Sequence, residues 1–90
     1  MGVKGKSIQL SGRVQQVGFR YYVYRLAGEL GVKGFVKNMP DGSVLIEAEC
    51  DEHTLDVFVE HCKKGSPQSI VSSCQSTSIE PKDFKDFRIC

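Results

Sequence analysis

The chain has no long apolar run, so no membrane-crossing helix is read from it, and Met1 to Lys6 lacks the apolar core of a signal peptide. It has no excess of one charge: 12 Lys+Arg against 11 Asp+Glu leave a net charge of +1. That balance argues against a protein whose main task is non-specific binding to nucleic acid or a membrane surface, because both rely on a net basic field. A small anionic ligand needs only local charge. Cys50, Cys62, Cys74 and Cys90 form no Cys-x-x-Cys pair or Cys/His cluster of zinc-ligand spacing. Without a secretion signal they read as free thiols rather than a disulfide framework. His53 and His61 have no Cys, Asp or Glu at ligand spacing and read as surface histidines. There is no internal repeat and no low-complexity tract. The expectation is a cytoplasmic protein without metal or other cofactor, and a single domain over residues 1–90.

What is there is strong periodicity. From Lys6 the residues alternate, with Ile8, Leu10, Gly12 and Val14 on one side and Gln9, Ser11 and Arg13 on the other, which predicts a half-buried strand. Phe19, Tyr22, Val23, Leu26, Ala27 and Leu30 then recur at helical spacing, and Gly31 stops the helix. Val32 to Asn38 reads as a second strand, Met39-Pro40-Asp41-Gly42 as a turn, and Ser43 to Cys50 as the return strand of a hairpin. Its outward residues are Leu45, Glu47 and Glu49. Asp51 is placed to cap a second helix that carries Leu55, Phe58, Val59 and Cys62 on one face, with Lys63 and Lys64 at its negative end and Gly65 beyond. Cys62 is expected in the core. Ser69 to Ser78 is a serine-rich strand suited to an exposed face or edge, and a short last strand should point Phe87 and Ile89 inward. The order β-α-β-β-α-β with a small fifth strand predicts an α+β, ferredoxin-like sandwich: two helices on one face of an antiparallel sheet.

The stretch Ser11-Gly12-Arg13-Val14-Gln15-Gln16-Val17-Gly18-Phe19-Arg20 drives a strand through a glycine-containing bend straight into a helix. Bend amides and first-turn helix amides then have no intrahelical acceptors and converge, which makes an anion site. Arg20 adds a permanent charge and a planar fork of donors suited to phosphate or carboxylate oxygens. An oxyanion pocket, for phosphate, is the reading.

A second element, Lys33-Gly34-Phe35-Val36-Lys37-Asn38 followed by Asp41-Gly42-Ser43-Val44, accompanies the first. Together they resemble acylphosphatase, whose motifs are a Gly-Arg-Val-Gln-Gly-Val-x-Phe-Arg loop, a Gly-aromatic-Val-Lys-Asn strand end and a Gly-x-Val hairpin. In this chain these read Gly12 to Arg20, Gly34 to Asn38 and Gly42 to Val44. The resemblance spans nearly the whole chain, including the Lys64-Gly65-Ser66-Pro67 corner, and implies the same ferredoxin-like fold. It also implies metal-free hydrolysis of an acyl phosphate to a carboxylate and inorganic phosphate; a monomer is expected, with no nucleic-acid or membrane partner. By resemblance, Arg20 with the amides of Gln15, Gln16, Val17, Gly18 and Phe19 grips the phosphoryl group, and Asn38 orients the attacking water. No general base is obvious near either motif, so the substrate's phosphate is the candidate acceptor of the water's proton.

The chain departs from the family at three places. Gln16 replaces the loop's second glycine, Cys50 stands where glycine is usual, and Cys90 replaces a common terminal aromatic. If the Gln16 position needs positive φ, the side chain adds strain of about 1 kcal/mol or more and could crowd the phosphate. The alternative is therefore a catalytically impaired anion-binding or interaction module on the same scaffold. An RNA-binding domain is a further rival, because Lys33-Gly34-Phe35-Val36 loosely imitates one of its signatures. The outward Glu47 and Glu49, which would repel phosphates, speak against it.

Overall fold

The computed structural model describes residues 2–90. Along the chain lie β1 (Lys4–Arg13), α1 (Phe19–Leu30), β2 (Lys33–Asn38), β3 (Val44–Cys50), α2 (Glu52–Lys64), β4 (Ile70–Ile79) and β5 (Phe87–Ile89). The strands form one sheet in the order β4-β1-β3-β2-β5. This is the split βαβ arrangement, in which β3 lies between β1 and β2 while β1 lies between β3 and β4. Pairing is antiparallel except between β2 and β5, which run parallel, so the sheet is mixed rather than wholly antiparallel. The parallel strand arises because the chain returns to the free edge of β2 through the loop after β4.

Period-2 alternation in the strands and a 3.6-residue stripe on each helix meet in one apolar cluster. Ile8, Leu10, Val36, Val44 and Ile46 from the sheet pack against Phe19, Val23 and Ala27 of α1 and Leu55, Phe58 and Cys62 of α2. Register keeps the buried rows together: Ile8 faces Ile46, which faces Val36 on its other side. Burial also pushes the Cys62 thiol well above its ordinary pKa, so it behaves as a small core residue. All four cysteines are free. α1 ends at Gly31, whose φ of 75° is left-handed, and α2 begins at Asp51, whose carboxylate accepts the Thr54 N–H at 3.0 Å. The serine-rich β4 is indeed an edge strand.

Gly34 is the position where close approach demands glycine. Its φ is 144°, and a Cβ there would overlap the Glu47 carbonyl of β3.

Two expectations about exposure on the sheet need correction. Glu49 faces away from the helices yet is only 5% exposed, because the loop after β4 folds over it. Its carboxylate accepts the backbone N–H groups of Lys82, Asp83 and Phe84 at 3.3, 3.2 and 2.9 Å, while Glu47 pairs with Lys82 Nζ at 2.7 Å. These carboxylates hold a loop rather than present charge, and Phe84 meets Phe35 edge-on, so this part of the sheet face is covered. Ile89 pairs with Val36 and shares the helix side of the sheet with Phe87, but it is not buried: it is 41% exposed, since β5 is an edge strand of only 3 residues, and it lines the cavity beside Arg20 and Asn38. No helix among the described residues is long and apolar enough to cross a membrane.

Candidate active site

The loop between β1 and α1 hangs between two buried anchors, Val14 and Phe19, each 1% exposed. Burial at both ends fixes where the intervening backbone can go. Gln15 does not point into the site. Its Nε2 donates to the Met39 carbonyl at 2.8 Å and the Ser43 carbonyl at 2.9 Å, so the loop is clamped to the β2–β3 hairpin that carries Asn38. Ser43 is itself held: its N–H and Oγ donate to Asp41 Oδ1 at 3.0 and 2.6 Å, and Gln9 Nε2 donates to its Oγ at 3.0 Å. The Ser43 hydroxyl, then its N–H, pull the Asp41 carboxyl below its ordinary pKa.

Gln16 has a φ of 63° and Gly18 a φ of 76°, both left-handed. Left-handed residues alternating with ordinary ones turn successive amides toward one concavity, the geometry of an anion nest. Gln16 thus occupies the conformation that glycine would relieve, and its backbone carries strain of about 1–2 kcal/mol. Gly18 is the N-cap residue of α1, with no side-chain cap and no acidic residue in the first turn. Among the described residues, the backbone N–H groups from Gln15 to Tyr21 have no acceptor, the first helical bond being Tyr22 N–H to the Gly18 carbonyl at 3.0 Å. The positive end of the helix dipole is left open.

Beside this loop lies a cavity of about 190 Å³ whose walls include Gln16, Gly18, Phe19, Arg20, Tyr21 and Asn38. The structure thereby brings Arg20 and Asn38, 18 positions apart in sequence by their numbering, to one small space beside the loop. Arg20 Nη1 donates to the Cys90 carbonyl at 2.8 Å, which pins one arm of the fork and leaves its other donors for a ligand. Asn38 closes β2, and its Oδ1 is buried without a partner among the described residues. An orphaned buried acceptor costs about 1–3 kcal/mol and calls for a reason. No wall residue is acidic or a histidine, so the cavity holds one fixed positive charge and no protein base. Gln16 lines the cavity without closing it. Val17 and Gln15 are outside its walls; only their amides could serve it. Sequence reasoning missed the Gln15 clamp, the Cys90 contact and Tyr21. The first two join residues 24 to 70 positions apart and leave no local signal.

A split βαβ sandwich with an uncapped helix start, a left-handed loop and an Arg/Asn pair lining one small cavity defines a small α+β domain whose loop has the geometry of an anion nest. The acylphosphatase family model matches residues 6–89, and the chain belongs to that family. It is 45% identical over 87 residues to an acylphosphatase of Thermotoga maritima, covering 97% of each chain, and 45% identical over 82 residues to one of Archaeoglobus fulgidus, covering 91% of this chain and 92% of that one. A crystal structure of acylphosphatase from Bacillus subtilis superposes with a TM-score of 0.94 at 41% identity, over 97% of this chain and 98% of that one. The chain also matches part of a larger protein, HypF, in a phosphate- and nucleotide-bound structure: 30% identity, TM-score 0.87, 99% of this chain but 12% of that one.

Proposed function

We propose that this protein hydrolyses acyl phosphates to a carboxylate and inorganic phosphate, acting as a single cytoplasmic domain. The observation that supports the reading is one cavity lined by Gln16, Gly18, Phe19, Arg20 and Asn38, beside loop amides without acceptors and with the Asn38 oxygen buried and unpartnered among the described residues. Loop amides from Gln15 to Phe19 and the free arm of Arg20 bind the phosphoryl oxygens, spreading its negative charge over donors already in place. The Asn38 Oδ1 accepts a hydrogen bond from water and turns an oxygen lone pair toward phosphorus. Water attacks phosphorus, the P–O bond to the acyl carboxylate breaks, and the carboxylate leaves without acid assistance because it is a stable anion. With no carboxylate or histidine in the walls, the water's proton passes to a phosphoryl oxygen of the substrate. Positive charge for the transition state comes from Arg20 and the amides, so no metal is required.

Assay of acetyl phosphate hydrolysis with a chelator present tests this directly. Arg20→Ala is expected to lower turnover by about 10²–10³ and to weaken inhibition by inorganic phosphate. Asn38→Ala should lower turnover while leaving phosphate inhibition unchanged, since it positions water rather than the anion. Wild-type turnover in Asn38→Ala would remove its assigned role, and no turnover in the wild type would leave only an anion-binding module.

A further inference from the structure

Among the described residues, two that are not glycine hold left-handed backbone: Gln16 in the loop before α1, with φ 63°, and Asp83 in the loop after β4, with φ 59°. Each marks a place where successive amides turn toward one point. The amides beside Gln16 have no acceptor, whereas those around Asp83 close on the Glu49 carboxylate. We propose that Glu49 is a positioning residue for Arg20: by fixing residues 82–84 it sets where β5 ends, and the end of β5 holds the Arg20 guanidinium. This role rests on the assignment of Arg20 to phosphoryl binding in acyl phosphate hydrolysis.

Each link is a direct contact. Glu49 Oε1 accepts the N–H groups of Lys82 and Phe84 at 3.3 and 2.9 Å, and its Oε2 accepts that of Asp83 at 3.2 Å. Only Lys85 and Asp86 separate Phe84 from β5. The Asp86 carbonyl accepts the Gly34 N–H at 2.9 Å, Phe87 to Ile89 pair with Gly34 to Val36, and the Cys90 N–H donates to the Val36 carbonyl at 2.8 Å. Cys90 then gives its own carbonyl to Arg20 Nη1 at 2.8 Å. Among the described residues, no other acceptor holds the Arg20 side chain and no carboxylate pairs with it.

The tether matters because the ladder of β5 is short. It is an edge strand of 3 residues paired to β2 alone, and parallel pairing is the weaker kind per residue. Glu49 is 5% exposed, and a carboxylate so buried must keep its donors, so three charge-assisted bonds give the main chain at 82–84 one position. The left-handed Asp83 persists for the same reason. Glu49 lies opposite Lys33, at the far end of the β2–β3 ladder from Asn38 opposite Val44, so its influence reaches the site along β5 and through Arg20. A displacement of about 1 Å in a binding group can cost about 10²-fold in rate.

Inhibition of acetyl phosphate hydrolysis by inorganic phosphate, measured in single and double variants, tests this role. Glu49→Gln keeps the size but loses one acceptor oxygen; it should weaken inhibition about tenfold, and have no further effect once Arg20→Ala is present. Asp83 offers a second test at an exposed position that leaves Glu49 in place. Asp83→Pro removes one donor and cannot take the left-handed φ, so it should weaken inhibition in the same way. Asp83→Gly, at ease at that φ, should leave inhibition and turnover unchanged. A purely structural carboxylate would lower the Tm of Glu49→Gln and Asp83→Pro while the folded protein kept its wild-type inhibition constant. That result, or the same loss with and without the Arg20 guanidinium, would overturn the positioning role and leave acyl phosphate hydrolysis intact. Absence of hydrolysis in the wild type would remove both readings.

Discussion

The two helices begin in opposite ways. α2 starts at Asp51, whose carboxylate takes the Thr54 N–H, with Glu52 in the first turn; the protein supplies its own anion to the positive end of the dipole. α1 starts at Gly18, with no side-chain cap, no acidic first-turn residue and the loop amides before it unpaired. The same four orphan donors exist at both helix starts. At α2 the Asp51 carboxylate takes one of them, the Thr54 N–H, and at α1 no side chain takes any. The α2 start is closed by the protein's own carboxylate, and the α1 start is left open.

Giving α1 the cap that α2 has should break the difference most severely. Gly18→Asp puts a carboxylate at the open helix start, whereas Gly18→Asn gives nearly the same shape and the same left-handed backbone demand without charge. Gly18→Asp is expected to weaken phosphate inhibition at least about tenfold more than Gly18→Asn. Equal inhibition constants in the two variants would mean the anion does not sit at this helix start.

Gln16→Gly sharpens the comparison from the side of strain. Glycine at a φ of 63° should stabilise the fold by about 1 kcal/mol, or near 5 °C in Tm, without loss of acetyl phosphate turnover. An unchanged or lower Tm would show that the left-handed loop is not stored strain.

At α2 the effect is smaller and depends on pH. Hydrogen bonding from the Thr54 backbone N–H, then its side chain, holds the Asp51 carboxyl below its ordinary pKa, so the folded state favours the ionised form. Its stabilisation is complete above the unfolded carboxylate pKa and is lost as pH falls through the lowered folded value. Asp51→Asn keeps a capping oxygen but cannot titrate. Its Tm should therefore fall less steeply than that of the wild type in acid, with activity near neutrality unaffected. Parallel Tm-against-pH curves would remove Asp51 from the acid response.

Much of this was legible in the sequence because it is local. The helical stripes, the Asp51 cap, the Gly31 stop and the hairpin turn each follow from residues a few positions apart, and the left-handed demand on Gln16 followed from the glycine the family has there. The uncapped bend before α1 was legible for the same reason. Non-local features were not. Alternation correctly put Glu49 on the outer face, but nothing in the spacing says that residues 82–84 will fold over it and donate three N–H groups. Ile89 looks like a buried strand residue until the edge position and shortness of β5 are known. The Gln15 bonds to the hairpin, which set how the loop meets Asn38, depend on two carbonyls that any sequence would supply.

Titration of the wild-type protein with inorganic phosphate, followed through its backbone amide resonances, reads the site at the atoms that define it. Saturable shifts centred on the amides of Gln15 to Arg20, abolished in Gly18→Asp, are the predicted result. Phosphate that inhibits turnover while those amides stay fixed would contradict the account.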